Sequence, residues 1–251
     1  MNDELSYGLE DSHKELLEIM SFIHEFCERH SIKYSLTGGS LLGAIRHNGF
    51  IPWDDDFDIM FDRDSYDKFI LSMMAEESTE CILEQDQWVY RVRKHHKTRG
   101  YTPSIDLFVL DEVPLNRITN KLQILRLRIL QGMLRTNELE RTYSMFYTFC
   151  IRITSFVGKW FDKEKLFREY DRISRIGNAR GKGSNKFSIF DDRFALLGLQ
   201  YSNELMDGYE LHGFMDKKFW IIKNYKEYLV KQYGDYMQLP PVSERRPMHS
   251  M

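Results

Sequence analysis

The chain has 251 residues, 42% hydrophobic and 14% aromatic, enough apolar material for one large domain or one catalytic domain with an insertion. A net charge of −3 supplies no global basic field and argues against nucleic acid as a partner. Cys27, Cys81 and Cys150, far apart and odd in number, exclude a disulfide framework and a CxxC zinc site as expectations. A reducing, cytoplasmic location follows from that cysteine usage. The acidic N-terminus does not read as a secretory signal, and no apolar run reaches the roughly 18 residues of a membrane span. The expectation is a soluble protein, held at most at the inner face of the cytoplasmic membrane.

In chain order, Ser12 and Glu15 form an S-x-x-E capping box, followed by Leu16, Met20, Ile23 and Cys27 at helical spacing. This predicts a helix over 12–30. "IKYSLTGG" predicts a short strand ending at glycines, and "SLLGAIRH" a short helix starting at Ser40. "FDIMF" alternates as a strand, and Asp64 is placed to cap the next helix, "SYDKFILSMMAEE". Strands follow at "CILEQ", "WVYRVRKHH" and "SIDLFVLD". Asp111, closing the last of these, reads as a turn residue. The order predicts an α/β (α+β) core over 1–115 with a mixed sheet and its site at strand ends.

Beyond Pro114 the character changes. "ITNKLQILRLRILQGMLR" and "TYSMFYTFCIRITSFVGKWF" predict helices, and Lys121 to Lys159 carries seven Lys/Arg against two Glu. We read 116–185 as a helical insertion, packed on the core or laid on anionic lipid through 117–160. "RIGNARGKGSNKFS" reads as a loop. Residues 186–251 return to complete the catalytic domain, with a helix at "NYKEYLVKQYG" and an extended tail.

The chemistry concentrates in "GGSLLGAIRHNGFIPWDDDFDIMF", residues 38–61. Strand alternation puts Asp56 and Asp58 on one side, roughly 7 Å apart, with Phe57 and Ile59 on the other. Asp54 shares their parity, while Asp55 faces away and reads as dispensable. Two carboxylates suit Mg²⁺, which completes its shell with water and substrate phosphate. An EF-hand fails, because its obligatory glycine position holds Ile59 and its bidentate glutamate position holds Ser65. A merely solvated acidic turn fits poorly with the interleaved Trp53, Phe57 and Ile59. Gly38, Gly39 and Ser40, on a strand-to-helix turn, let a phosphate approach backbone N–H groups. Asp106, flanked by Ile105 and Leu107, is costly to bury unless it is paired or binds metal.

These motifs, in this order, resemble the LicD-type phosphotransferase family of the nucleotidyltransferase fold superfamily. The likeness is carried by "YSLTGGSLLGAIRHNGFIPWDDDFDIMFDRDSYDKF", "IDLFVLDEVP" and "YGDYMQLPP". The resemblance implies transfer of a phosphorylated alcohol, phosphocholine from CDP-choline first among them, to a hydroxyl of a cell-surface glycan or its lipid-linked precursor, with CMP released. Lipopolysaccharide and teichoic acid are acceptors of that kind. Ribitol or glycerol phosphate from another CDP-alcohol is the alternative donor group. A nucleotidyltransferase that leaves NMP on its acceptor, and a non-catalytic glycan-binding protein, are the competing functions.

Carried over by position, the metal-binding pair is Asp56 and Asp58, and Asp106 is the third carboxylate, as Mg²⁺ (or Mn²⁺) ligand or general base. Gly38, Gly39 and Ser40 form the phosphate turn, with Ser40 where many members have Thr. Arg46 and His47 are candidates to neutralise donor phosphates, or Arg46 to pair with an aspartate. Arg93, Lys94 and the pair His95–His96 are weaker candidates. Trp53, Trp88 and Tyr101 are candidate aromatic faces for a choline cation, or core residues. Arg245, Arg246 and His249 either fold back onto the donor or fray.

Overall fold

The computed structural model describes residues 7–76, 78–95, 102–135, 145–179 and 182–247. His96, Tyr101 and His249 lie outside them. The chain is α+β and divides into two compact units. The first comprises residues up to 84, 90–108 and 204 onward; the second comprises 85–89 and 109–203.

The first unit opens with α1 (Glu10–His30), which turns Leu16, Ile19, Met20, Ile23 and Phe26 to the core. The helix starts ahead of the expected capping box: Leu9 is the N-cap, and Ser12 already lies within the first turn. Then come β1 (Ser35–Leu36), α2 (Gly38–His47), β2 (Phe57–Asp62) and α3 (Arg63–Ala75). Asp62, not Asp64, caps α3, its Oδ1 accepting from the Ser65 amide at 2.8 Å. β3 (Cys81–Asp86), β4 (Val89–Lys94) and β5 (Ser104–Pro114) complete the sheet order β1-β2-β5-β4-β3.

The C-terminal return adds a hairpin that sequence reasoning missed, β8 (Tyr209–Phe214) with β9 (Lys217–Ile222). Its turn holds Met215 at φ 55° followed by Asp216, so it lacks the Asn-Gly or Asp-Gly pair that marks a tight hairpin. The hairpin packs beside β1, where the Ile222 amide donates to Ser35 Oγ at 2.9 Å. Phe214 and Phe219 interlock edge-on with Phe57, and Phe214 also with Phe50. This aromatic cluster is the floor beneath the acidic segment. α7 (Tyr225–Tyr233) follows as expected.

In the second unit the last residues of β5 pair with β6 (Gly183–Ile189), which pairs with β7 (Tyr201–Ser202). β6 covers the end of the stretch expected to be a loop. Asp111 is no turn residue: it is buried within β5, opposite Ser188, and accepts from Asn178 Nδ2. Helices α4 (Arg117–Leu134), α5 (Met145–Gly158) and α6 (Lys163–Ser174) make up the rest. Leu127, Leu130 and Leu134 of α4 meet Leu166, Tyr170 and Ile173 of α6 around Phe190. No helix among the described residues is long and apolar enough to cross a membrane.

Candidate active site

The helix after β1 begins two residues earlier than expected. Thr37 is the N-cap and Gly38 the first helical residue, at φ +53°, a left-handed value that glycine adopts without strain. Four N–H groups at a helix start lack intrahelical partners. The Thr37 amide donates to Asp58 O at 3.1 Å, and the Gly38 amide to Tyr228 OH at 3.1 Å. The amides of Gly39 and Ser40 remain as donors at the positive end of α2. Ser40 Oγ accepts from the Asp58 amide at 2.8 Å, so this buried hydroxyl fastens the turn to β2.

The glycine pair is shaped around carboxylates. A methyl on Gly38 would come within 2.6 Å of Asp58 Oδ2, and one on Gly39 would overlap the Asp54 carboxylate. Asp54 and Asp58 therefore stand at the helix N-terminus, where the dipole favours negative charge. Asp56 is half-exposed immediately before β2 begins, and Asp58 is half-exposed between buried Phe57 and Ile59. Asp55, expected to be dispensable, is 1% exposed, the most buried of the four.

Two residues that the sequence did not single out hold this geometry. Tyr228 of α7 accepts from both Thr37 Oγ1 (2.8 Å) and the Gly38 amide, pinning the start of α2. His13 of α1 stacks flat on Phe50, centroids 4.1 Å apart, and donates from Nε2 to Asp54 O at 2.7 Å. Burial is the largest influence on His13 and lowers its pKa, against smaller raising effects from the Asp54 carbonyl and the charges of Glu10 and Asp55. His13 is thus a neutral donor near pH 7. Only separation in sequence hid these partners.

Beside the acidic segment lies a basic and aromatic rim. Arg46 Nη1 donates to the carbonyls of Tyr236 (2.9 Å) and Gln238 (3.3 Å), tying down the C-terminal tail. The Arg245 guanidinium lies over Trp53, 5.4 Å from the ring centroid. Burial lowers the Arg46 pKa first of all, with Asp54 among the charges opposing that shift. An arginine keeps its charge nonetheless. His47 is lowered by burial and then by Arg46, so near neutral pH the positive charge here comes from arginine. Arg245 thus belongs to a folded-back tail.

Asp106 resolves its burial cost by pairing. It faces Arg91 across the β4–β5 ladder, with Nε–Oδ1 at 3.0 Å and Nη2–Oδ2 at 3.2 Å. β5 neighbours β2 in the sheet. Even so, among the described residues no three His, Cys, Asp or Glu side chains are gathered as a ready metal cage. The donor chemistry still fits a hard divalent cation, since Mg²⁺ commonly takes one or two carboxylates and fills its shell with water and phosphate. The weaker candidates are engaged elsewhere: Arg93 with Glu84, Lys94 with Glu18, and His95 with Ser78 O at 2.7 Å. Trp88 belongs to the second unit, where its indole N–H donates to Asp191 O at 2.8 Å.

Residues 31–121 match the family model for LicD/FKTN/FKRP, nucleotidyltransferase domain. Over 258 aligned positions the chain is 29% identical to the lipopolysaccharide cholinephosphotransferase LicD of Haemophilus influenzae, covering 93% of this chain and 92% of that protein. Uncharacterized proteins of Rickettsia prowazekii and Rickettsia typhi are each 50% identical to it over 44 residues, 18% of this chain. Those two matches span 16% and 14% of the respective relatives.

Proposed function

The chain belongs to the LicD-type family, and on that premise we propose that it transfers phosphocholine from CDP-choline to a hydroxyl of a cell-surface glycan, such as lipopolysaccharide or its lipid-linked precursor, releasing CMP. The observation that carries this reading is the Gly38–Gly39 turn, which accommodates the Asp54 and Asp58 carboxylates beside half-exposed Asp56. A phosphoryl-transfer site needs anionic metal ligands next to phosphate-binding amides, and one short segment supplies both.

Asp56 and Asp58 would hold Mg²⁺, with Asp106 as the third carboxylate oriented by Arg91. An ion held there would supply positive charge to offset the donor diphosphate and the leaving CMP. The protein's own residues do the rest. The Gly39 and Ser40 amides donate to a phosphate oxygen, and Tyr228 and Ser40 keep that helix end in register with β2. Arg46 and Arg245 offset phosphate charge at the rim. Trp53 already presents a ring face to a cation, the role a choline headgroup requires.

The test is incubation of the purified chain with Mg²⁺, glycan acceptor and CDP-choline labelled separately in the choline and the nucleotide. The expected products are free CMP and choline label on the glycan. Nucleotide label on the acceptor would overturn the reading in favour of nucleotidyl transfer. Turnover of CDP-ribitol or CDP-glycerol with none of CDP-choline would reassign the donor.

A further inference from the structure

We infer that the outer faces of α4 and α5 rest on an anionic phospholipid bilayer. At 100° per residue, Ile118, Leu122, Leu125 and Ile129 fall within about 60° of arc on α4. All four are exposed, Ile118 at 70%. The opposite side of the same helix carries the buried Leu127, Leu130 and Leu134. α4 is therefore apolar on two faces, and the core uses one.

α5 repeats the pattern. Met145, Phe149, Ile153 and Phe156 are exposed and fall within about 80° of arc. Trp160, just past the helix end and 70% exposed, stands edge-on to Phe156 at 4.7 Å and extends the stripe. The two helices pack closely where a methyl on Gly132 would strike Thr154 and one on Gly158 would strike the backbone of Met133. A tight pair with an unused apolar stripe on each helix is a poor surface to leave in water.

Charge selects the occupant. Lys121 and Arg128 flank the α4 stripe on one side and Arg126 on the other; Arg152 flanks that of α5. Arg128 is drawn over Phe194, and Arg126 lies near enough to Glu169 to help lower its pKa. No ion pair to an acidic side chain engages Arg117, Lys121, Arg152 or Lys159 among the described residues. From Leu115 to Phe161 the sequence is net +6 in a chain of net −3, its only acidic residues, Glu138 and Glu140, lying outside the described residues. A two-fold contact between copies would set these cations against themselves, whereas anionic headgroups meet the cations while the stripes enter the acyl boundary. The helices lie on the bilayer, since over their described residues neither α4 nor α5 is long and apolar enough to cross it. This inference does not depend on which group the other unit transfers.

The experiment is co-sedimentation of the full chain with vesicles of phosphatidylcholine alone or mixed with phosphatidylglycerol. Binding is expected only with the anionic lipid, weakening steeply between about 0.05 M and about 0.5 M salt, with a blue shift of tryptophan emission that W160F removes. Replacing Arg117 and Lys121 together by Gln, both on the exposed side, should lower the partition coefficient about 25-fold, near fivefold per charge. Phe156→Ser with Leu122→Ser should abolish the binding at unchanged melting temperature. Three results would overturn the inference: equal binding to neutral vesicles, no binding at low salt, or a concentration-dependent dimer in ultracentrifugation that the same two serines disrupt.

Discussion

Replacing Gly39 by alanine separates the stability of the site from its chemistry. The new methyl would stand 3.3 Å from Asp54 Cγ, with one carboxylate oxygen closer still. Since carbon and oxygen rest near about 3.5 Å, that oxygen has to retreat by about 1 Å. The neighbour that yields is the end of a side chain, so the steric cost is small. In the first turn of α2, alanine gains up to about 1 kcal/mol over glycine in helix propensity. The two effects nearly cancel, and the melting temperature should stay within about 4 °C of the parent. Catalysis is less tolerant, because a misplacement of about 1 Å among reacting groups costs about 100-fold in rate. The assay pairs a thermal melt with kcat/KM for choline phosphate transfer. A G39A protein with parental turnover would refute the idea that the site needs the Asp54 carboxylate tight against the glycine turn, and one that failed to fold would refute the cancellation.

Asp56→Asn and Asp58→Asn should each reduce Mg²⁺-dependent turnover by about 100-fold or more while leaving the circular dichroism spectrum unchanged; turnover equal to the parent in chelator would remove the metal assignment. Tyr228→Phe leaves the Thr37 hydroxyl and the Gly38 amide without their shared acceptor. The expected loss is about 1–3 kcal/mol in urea unfolding, from two hydrogen bonds, and an unchanged midpoint would show that the tyrosine is not the pin. Arg46→Ala should expose the tail near Tyr236 to limited proteolysis and raise KM for the donor more than it lowers kcat. Burial lowers the His13 pKa from its ordinary 6.5, so the folded state disfavours the proton. Stability is fully retained above that value and falls as pH drops below it, because the unfolded chain gains the proton first. His13→Gln keeps an N–H for the Asp54 carbonyl and should flatten that acid limb; an unchanged limb would assign it to other groups, His47 among them.

The chemistry proposed for residues 38–58 is legible because it lies at short spacing, in glycines and aspartates that local rules interpret. Their supports were invisible for the opposite reason: Tyr228 lies 190 residues from Gly38, and His13 lies 41 from Asp54. Each is an ordinary tyrosine or histidine on an amphipathic helix until the fold brings it in. The apolar neighbours of Asp106 call for a pairing or a metal, and only strand register brings Arg91 opposite it. β6 escaped because its glycines and polar residues suit a loop, and its order comes from pairing with the far half of β5. The β8–β9 hairpin escaped because Met215 stands at the positive-φ position and no Asn-Gly or Asp-Gly pair marks the turn.

The tyrosine on α7 also sets a schedule. The glycine turn emerges 190 residues before that tyrosine, along with its aspartates and Ser40, which joins them to β2. The hydroxyl that fixes Thr37 and Gly38 arrives only with residue 228, and the carbonyls that Arg46 holds arrive later still. A nascent chain can thus carry every acidic residue of the proposed site before the turn is pinned. A chain that stalls before α7 therefore carries the glycine turn without the hydroxyl that pins it.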